Sequence, residues 1–326
     1  MRDYDPRDHN DRDRDDVIRD RKEDWLATGR CSCSATPHDD RIGPDVGVRD
    51  RATRDRENGR NSSDPRDVFS RDLDLPCGPE RALVRDRDHD YRLNGSDTRM
   101  LSTAGAFRVV SESDLRGSQD ANPDACDRDV RHLERQGLIQ RAPVNDKDRA
   151  IALTDRGRAL LERHRGRDTG RSQQFYSGAD RPRERSHDAQ FYKAYLEAAE
   201  RLRDRGARIE RVQLDRELKR DYQRFLQERN RGARDSDGRP DRSEAEIAAW
   251  AHEHNLPYFD DQVHFPDLRI EYEDANGDVR FEDIEVVTEH YRGAHGASAA
   301  RCGFSMHVSR RAGGGAFDPG VAEDFV

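Results

Sequence analysis

One stretch limits what this chain can become more than any other: Cys126 to Arg165, where a helical pattern, a polar turn and a second helical pattern follow without slack. Val130, Leu133 and the Gly137-Leu138 pair recur every three to four residues and run into a glycine, which predicts a helix that stops there. Ile151 and Leu153 alternate with alanines, and Asn145-Asp146-Lys147-Asp148-Arg149 supplies the polar tip of a hairpin. A second helix is predicted after Thr154. Upstream, Asp97 is placed to cap a helix carrying Met100, Leu101, Ala104 and Phe107, while Val109-Val110 fit a small strand before a short helix at Glu112 to Leu115.

Arg128, Arg131 and Arg135 lie three and four apart, so they share one face of the helix, opposite Val130 and Leu133. On a helix turned to a major groove, arginine bridges two acceptors on guanine, and His132 or Gln136 would reach neighbouring bases or phosphates. Lys147 and Arg149 at the hairpin tip would meet backbone phosphate or the minor groove. The run H-L-E-R-Q-G-L-I, then D-K-D-R, then L-T-D-R-G-R-A-L-L, between Asp127 and Leu161, resembles MarR-type winged-helix regulators. That resemblance covers residues 96–166 and implies duplex DNA as partner and a homodimer as assembly. The competing reading pairs the same arginines with Asp127, Asp129 and Glu134, which would leave an interaction scaffold without DNA affinity.

The other folded part is predicted over 187–309. An amphipathic helix begins at His187 with Phe191, Tyr195, Leu196, Ala199 and Leu202, and Gly206 stops it. Arg208 to Leu214 alternates as a strand, a long charged helix follows, and Ser243 with Glu246 forms the capping-box spacing of a further helix. Two strands, FPDLRIEYED and VRFEDIEVVTEHY, are joined by Asn276-Gly277, which favours a tight hairpin. A small-residue helix and the strand FSMHVS close the order. Asp267 opens one strand and Glu285 lies in the next, and two carboxylates held together suit a divalent metal beside a phosphate.

This order resembles the PD-(D/E)xK nuclease superfamily. The resemblance implies Mg²⁺ held by Asp267 and Glu285, with Glu217 as an additional helix-borne acid. Where that family carries lysine this chain has Val287, and no lysine follows Lys219. The cation beside the phosphate would then be His290 or Arg301, although arginine stays protonated and does not shuttle a proton. The layout of winged helix and nuclease-like part also resembles bacterial proteins that join the two.

Composition confines order to part of the chain. Of 326 residues 39% are charged and 32% hydrophobic, and residues 1–65 are dense in Arg-Asp dipeptides. Such a tail cannot bury enough surface to offset its ordering entropy and is expected to be disordered. A lead-in at 66–95 holds a short charged helix from Arg81 to Leu93, a polar linker spans 167–186, and 310–326 is a flexible tail. Net charge is −9, concentrated in 256–326, whereas 96–165 carries 13 basic groups against 12 acids. Five scattered cysteines give neither a disulfide framework nor a zinc site, and the absence of an apolar leader or span predicts a cytoplasmic protein away from membranes. The expected fold class is α+β, a winged helix-turn-helix followed by an α/β restriction-endonuclease-like domain. The expected function is duplex DNA binding, with a metal-dependent DNA nuclease as the alternative.

Overall fold

In the computed structural model the described residues are 64–87, 89–117, 122–144, 148–166, 172–178, 182–231, 242–287 and 300–308. They all belong to one compact unit, Gly47–Val326. The two expected tails fall almost wholly outside them, as do Lys147 and His290. The fold is mixed α+β.

Asn94 starts the first helix, α1 (Gly95–Ala106), by accepting the main-chain N–H of Asp97, whose carboxylate accepts the N–H of Asn94 in return. Asp97 is therefore the third residue of a capping box rather than the cap itself. After β1 (Ala82–Asp86) and β2 (His89–Leu93), the chain runs through α1, β3 (Val110–Ser111), α2 (Glu112–Arg116), α3 (Pro123–Arg135), β4 (Ile139–Pro143), β5 (Arg149–Leu153) and α4 (Asp155–Arg163). Strands β3, β5 and β4 form an antiparallel sheet in that order. Gly137, at φ 69°, ends α3 in the left-handed region that glycine adopts without strain. Thr154 caps α4 by accepting the N–H of Gly157 at 3.1 Å. A Cβ at Gly157 would stand 2.1 Å from the Leu138 carbonyl oxygen, so only glycine lets α4 meet the end of α3 this closely.

The charged helix expected at Arg81 to Leu93 is instead the antiparallel hairpin β1–β2, with Val84 opposite Tyr91. Burial explains the difference. Val84, Asp86, Tyr91 and Leu93 are buried at every second position, a strand period, and the intervening charges face out. Asp86 is neutralised by the Arg163 guanidinium of α4.

The remaining chain forms α5 (Pro182–Asp204), β6 (Arg208–Leu214), α6 (Asp215–Gln227), α7 (Glu244–Glu253), β7 (Tyr258–Phe259), β8 (Gln262–Val263), β9 (Leu268–Glu273), β10 (Val279–Val287) and β11 (Ser305–Val308). Helix α5 begins before His187, and the small β7–β8 hairpin has no counterpart in the sequence reading. Four strands form one sheet in the order β11-β10-β9-β6, antiparallel except for β10 and β11. The capping box of Ser243 and Glu246 opens α7 as its spacing predicts. The Asp274 carboxylate accepts the N–H groups of Asn276 and Asp278 and tightens the β9–β10 turn, with Gly277 at φ 86°.

One apolar cluster crosses the whole unit, from Leu101, Phe107 and Leu153 through Tyr192 and Tyr195 to Val212, Leu268 and Ile284. The described part of the expected linker, 172–178, is a packed seam rather than a spacer. Phe175 is 2% exposed within that cluster. The side chain of Gln173 donates to the Val212 carbonyl and accepts the Val212 N–H, both at 3.0 Å. A smaller cluster joins Leu218, Trp250, Ala251 and Leu256 beneath the β7–β8 hairpin. Among the described residues no helix is long and apolar enough to cross a membrane.

Candidate nucleic-acid interface

Helix α3 buries Cys126, Val130 and Leu133, at spacings of four and three, and thereby turns Arg128, Arg131 and Arg135 outward. All three are exposed. Among the described residues the side chains of Arg128 and Arg135 donate only to carbonyls of their own helix, those of Asp124 and Arg131.

The acids between them are turned elsewhere. Asp127 accepts from Arg116 of α2 at 2.7 Å. Asp129, buried, accepts from Arg81 at 2.7 Å and from the Ser96 hydroxyl at 2.8 Å. Glu134 lies 3.6 Å from Arg141 of β4. Among the described residues no carboxylate pairs with Arg128, Arg131, Arg135 or Arg149. Arg149 is exposed at the start of β5, opposite Pro143.

His132 and Gln136 hold a different contact. His132 Nε2 lies 2.7 Å from the Arg92 carbonyl oxygen, and the Gln136 side chain accepts the Arg92 N–H at 2.9 Å while its amide donates to the same carbonyl at 3.3 Å. They fasten the β1–β2 hairpin to the last turn of α3. Sequence reasoning missed the hairpin's arginines because it treated the segment as helical, and the alternation of Val84, Asp86, Tyr91 and Leu93 was the signal that could have found them.

The carboxylates of the second half are only partly brought together. Leu268 pairs with Ile284, and Asp267, one residue before, accepts the N–H of Val286 at 2.9 Å, so Asp267 and Glu285 are neighbours across two strands. Asp267 also lies 3.4 Å from His187 Nε2, and Asp188 lies 3.8 Å from the other ring nitrogen. Burial opposes a charge on His187, but these two carboxylates outweigh it and raise its pKa to about 10. Asp267 thus already has a cationic partner. Burial and then the nearby Glu285 push the Cys302 thiol up to about 11.

Among the described residues Glu217 shares no partner with Asp267. It is 4% exposed and accepts from the Gln213 amide at 3.1 Å and the Tyr176 hydroxyl at 3.3 Å, with Arg211 at 3.7 Å. Burial holds its pKa above the ordinary carboxylate value. Arg301 donates to Asp260 at 2.7 Å and lies over the Phe259 ring at 4.0 Å. Among the described residues no three His, Cys, Asp or Glu side chains converge as a metal ion would need. No protein-family model, curated protein or solved structure matches this chain.

Proposed function

We propose that this chain binds duplex DNA, with the exposed arginine face of α3 as its reading surface in a winged-helix arrangement. The observation that carries this reading is the redirection of Asp127 and Asp129 to Arg116 and Arg81, while Glu134 lies 3.6 Å from Arg141, which stands nearer to Glu112. A near-balance of charge in the sequence leaves little attraction for phosphate when every arginine is neutralised by its neighbours. Here the acids are taken up by arginines beneath and beside the helix, and the outward cations stay available for phosphates and guanine edges. The order helix, short strand, helix, helix, two-stranded hairpin and helix supports the winged-helix reading.

Fluorescence anisotropy on labelled duplexes tests it. The full chain should bind, its affinity should fall steeply with added salt, and Arg131→Ala should weaken it by about tenfold, as losing one guanine contact would. An Arg131→Ala chain that binds as tightly as the parent would remove α3 as the reader.

The strand order of the second half favours a further reading as a nuclease-like domain. An antiparallel β6-β9-β10 set with a parallel β11 and Asp267 beside Glu285 is the feature in its support. The described acids do not fit a three-ligand Mg²⁺ site. Incubation of the protein with plasmid and Mg²⁺ or Mn²⁺ tests this reading, and nicking that survives Asp267→Ala would place any activity elsewhere.

A further inference from the structure

Three outward arginines stand on the β1–β2 hairpin, beyond the α3 face. Arg85 and Arg92 lie on its exposed side, Arg85 directly across from Asp90 and Arg92 from Leu83, and Arg87 follows the last paired residue of β1. Among the described residues none of the three has a carboxylate partner. The hairpin's buried acid, Asp86, is paired with Arg163, and Arg87 acts on it only through space.

The hairpin is held in place on α3. His132 and Gln136 bind the main chain of Arg92, and each is one residue on from Arg131 and Arg135. The main chain of Arg92 is therefore fixed to the last turn of α3, the segment that also carries Arg131 and Arg135. Leu83, 50% exposed, adds an apolar contact between the cations. Arg87 has φ 49°, a conformation that glycine, asparagine or aspartate enters more cheaply. A long cation occupies this turn although smaller residues suit its backbone better.

We propose that the β1–β2 hairpin is a second duplex-binding element, which grips backbone phosphates beside the segment read by α3 through Arg85, Arg87 and Arg92. This rests on the reading of α3 as the DNA-facing helix. Charge complementarity selects the occupant: guanidinium groups outside ion-pair distance of any described carboxylate, anchored to a helix that presents others, match the regular row of phosphates on a duplex. The hairpin adds affinity and salt dependence without sequence preference, because phosphates are alike at every base pair.

The test uses the full chain with Arg85, Arg87 and Arg92 all changed to alanine, measured on a labelled duplex over a range of salt. All three side chains face out, and Arg92 holds α3 through its main chain, so the hairpin keeps its anchor; matched melting curves verify this. Binding should weaken about tenfold, and the slope of log K against log salt should shrink by about two to three, near 0.9 per lost phosphate contact. The matching lysine variant should keep most of the slope. If the parent binds and the alanine variant matches it in affinity and slope, the hairpin inference falls and the α3 reading stands. If the parent binds no duplex, both fall.

Discussion

The carboxylate of Asp127 accepts a hydrogen bond at 2.7 Å from Arg116 on α2 and not from Arg128, its neighbour on the outward face of α3. That one pairing shows how a segment with nearly equal numbers of acids and bases presents a cationic surface. Asp129 is buried and Asp127 half-buried on the inner flank of α3, whereas Arg128, Arg131 and Arg135 lie on the outer one. Removing the negative charge of Asp127 should make the surface more attractive still. Asp127→Asn is expected to tighten duplex binding about two- to threefold at low salt, an effect that anisotropy should see fade as salt screens it. Weaker binding in this variant would show that Asp127 serves the interface through Arg116 rather than opposing it.

Phe107 joins the halves. Its ring lies 5.3 Å from Phe69, 5.3 Å from Tyr192 and 5.2 Å from Tyr195, and it is fully buried. Phe107→Ala should cost about 3–5 kcal/mol. Because one core crosses both halves, melting followed by far-ultraviolet dichroism and by tyrosine fluorescence should move together. Two separated transitions would argue against a shared core.

Asp114 on α2 sets a pH dependence. Burial pushes its pKa up to about 6, against the pull of Lys193 and with Asp148 and Glu197 adding to the rise. The folded chain therefore holds this proton more tightly than the unfolded chain, whose carboxyl has its ordinary pKa near 3.9. The cost of the buried charge is fully present above pH 6 and disappears as pH falls towards 4. Asp114→Asn should stabilise the protein at pH 8 by up to about 2 kcal/mol, reduced by partial exposure, and by little at pH 4. Urea titrations at the two pH values measure the difference, and an equal gain at both would exclude this cause.

Arg87 separates stability from binding. Arg87→Gly relieves a left-handed backbone and is expected to raise stability by up to about 1 kcal/mol, after the entropy that glycine adds to the unfolded chain. The same change should weaken duplex binding about two- to threefold. A variant that is both more stable and an equal binder would leave the arginine at this turn without a role.

Local structure was the most legible part of the sequence. Ser243 with Glu246, the Asn276-Gly277 turn and the outward spacing of Arg128, Arg131 and Arg135 each act within a few residues and appear as read, whereas Arg208 to Leu214 forms its strand with Val212, Gln213 and Leu214 buried in succession rather than in alternation. The hairpin at Ala82 to Leu93 was harder to read, because only Val84, Tyr91 and Leu93 mark its buried face and alternating arginine and aspartate fill the positions between. Ion pairs were harder still. That Asp129 belongs to Arg81 and Asp86 to Arg163 follows from packing between distant segments, and nothing in the local pattern chooses these partners over nearer ones. The carboxylates of the second half divide likewise: strand register brings Asp267 beside Glu285, whereas Glu217 turns to Gln213 and Tyr176.

The amide of Gln173 takes one rung of hydrogen bonding on β6, the strand at the edge of the larger sheet. A gene rearrangement that joined this chain's second half to a new partner at the polar boundary near residue 180 would carry away that rung and the Phe175 side chain beside it. The sheet would then present a bare edge to other chains. A fragment that is to keep the β6 edge covered therefore has to begin before Ser172, well upstream of the division that hydropathy suggests.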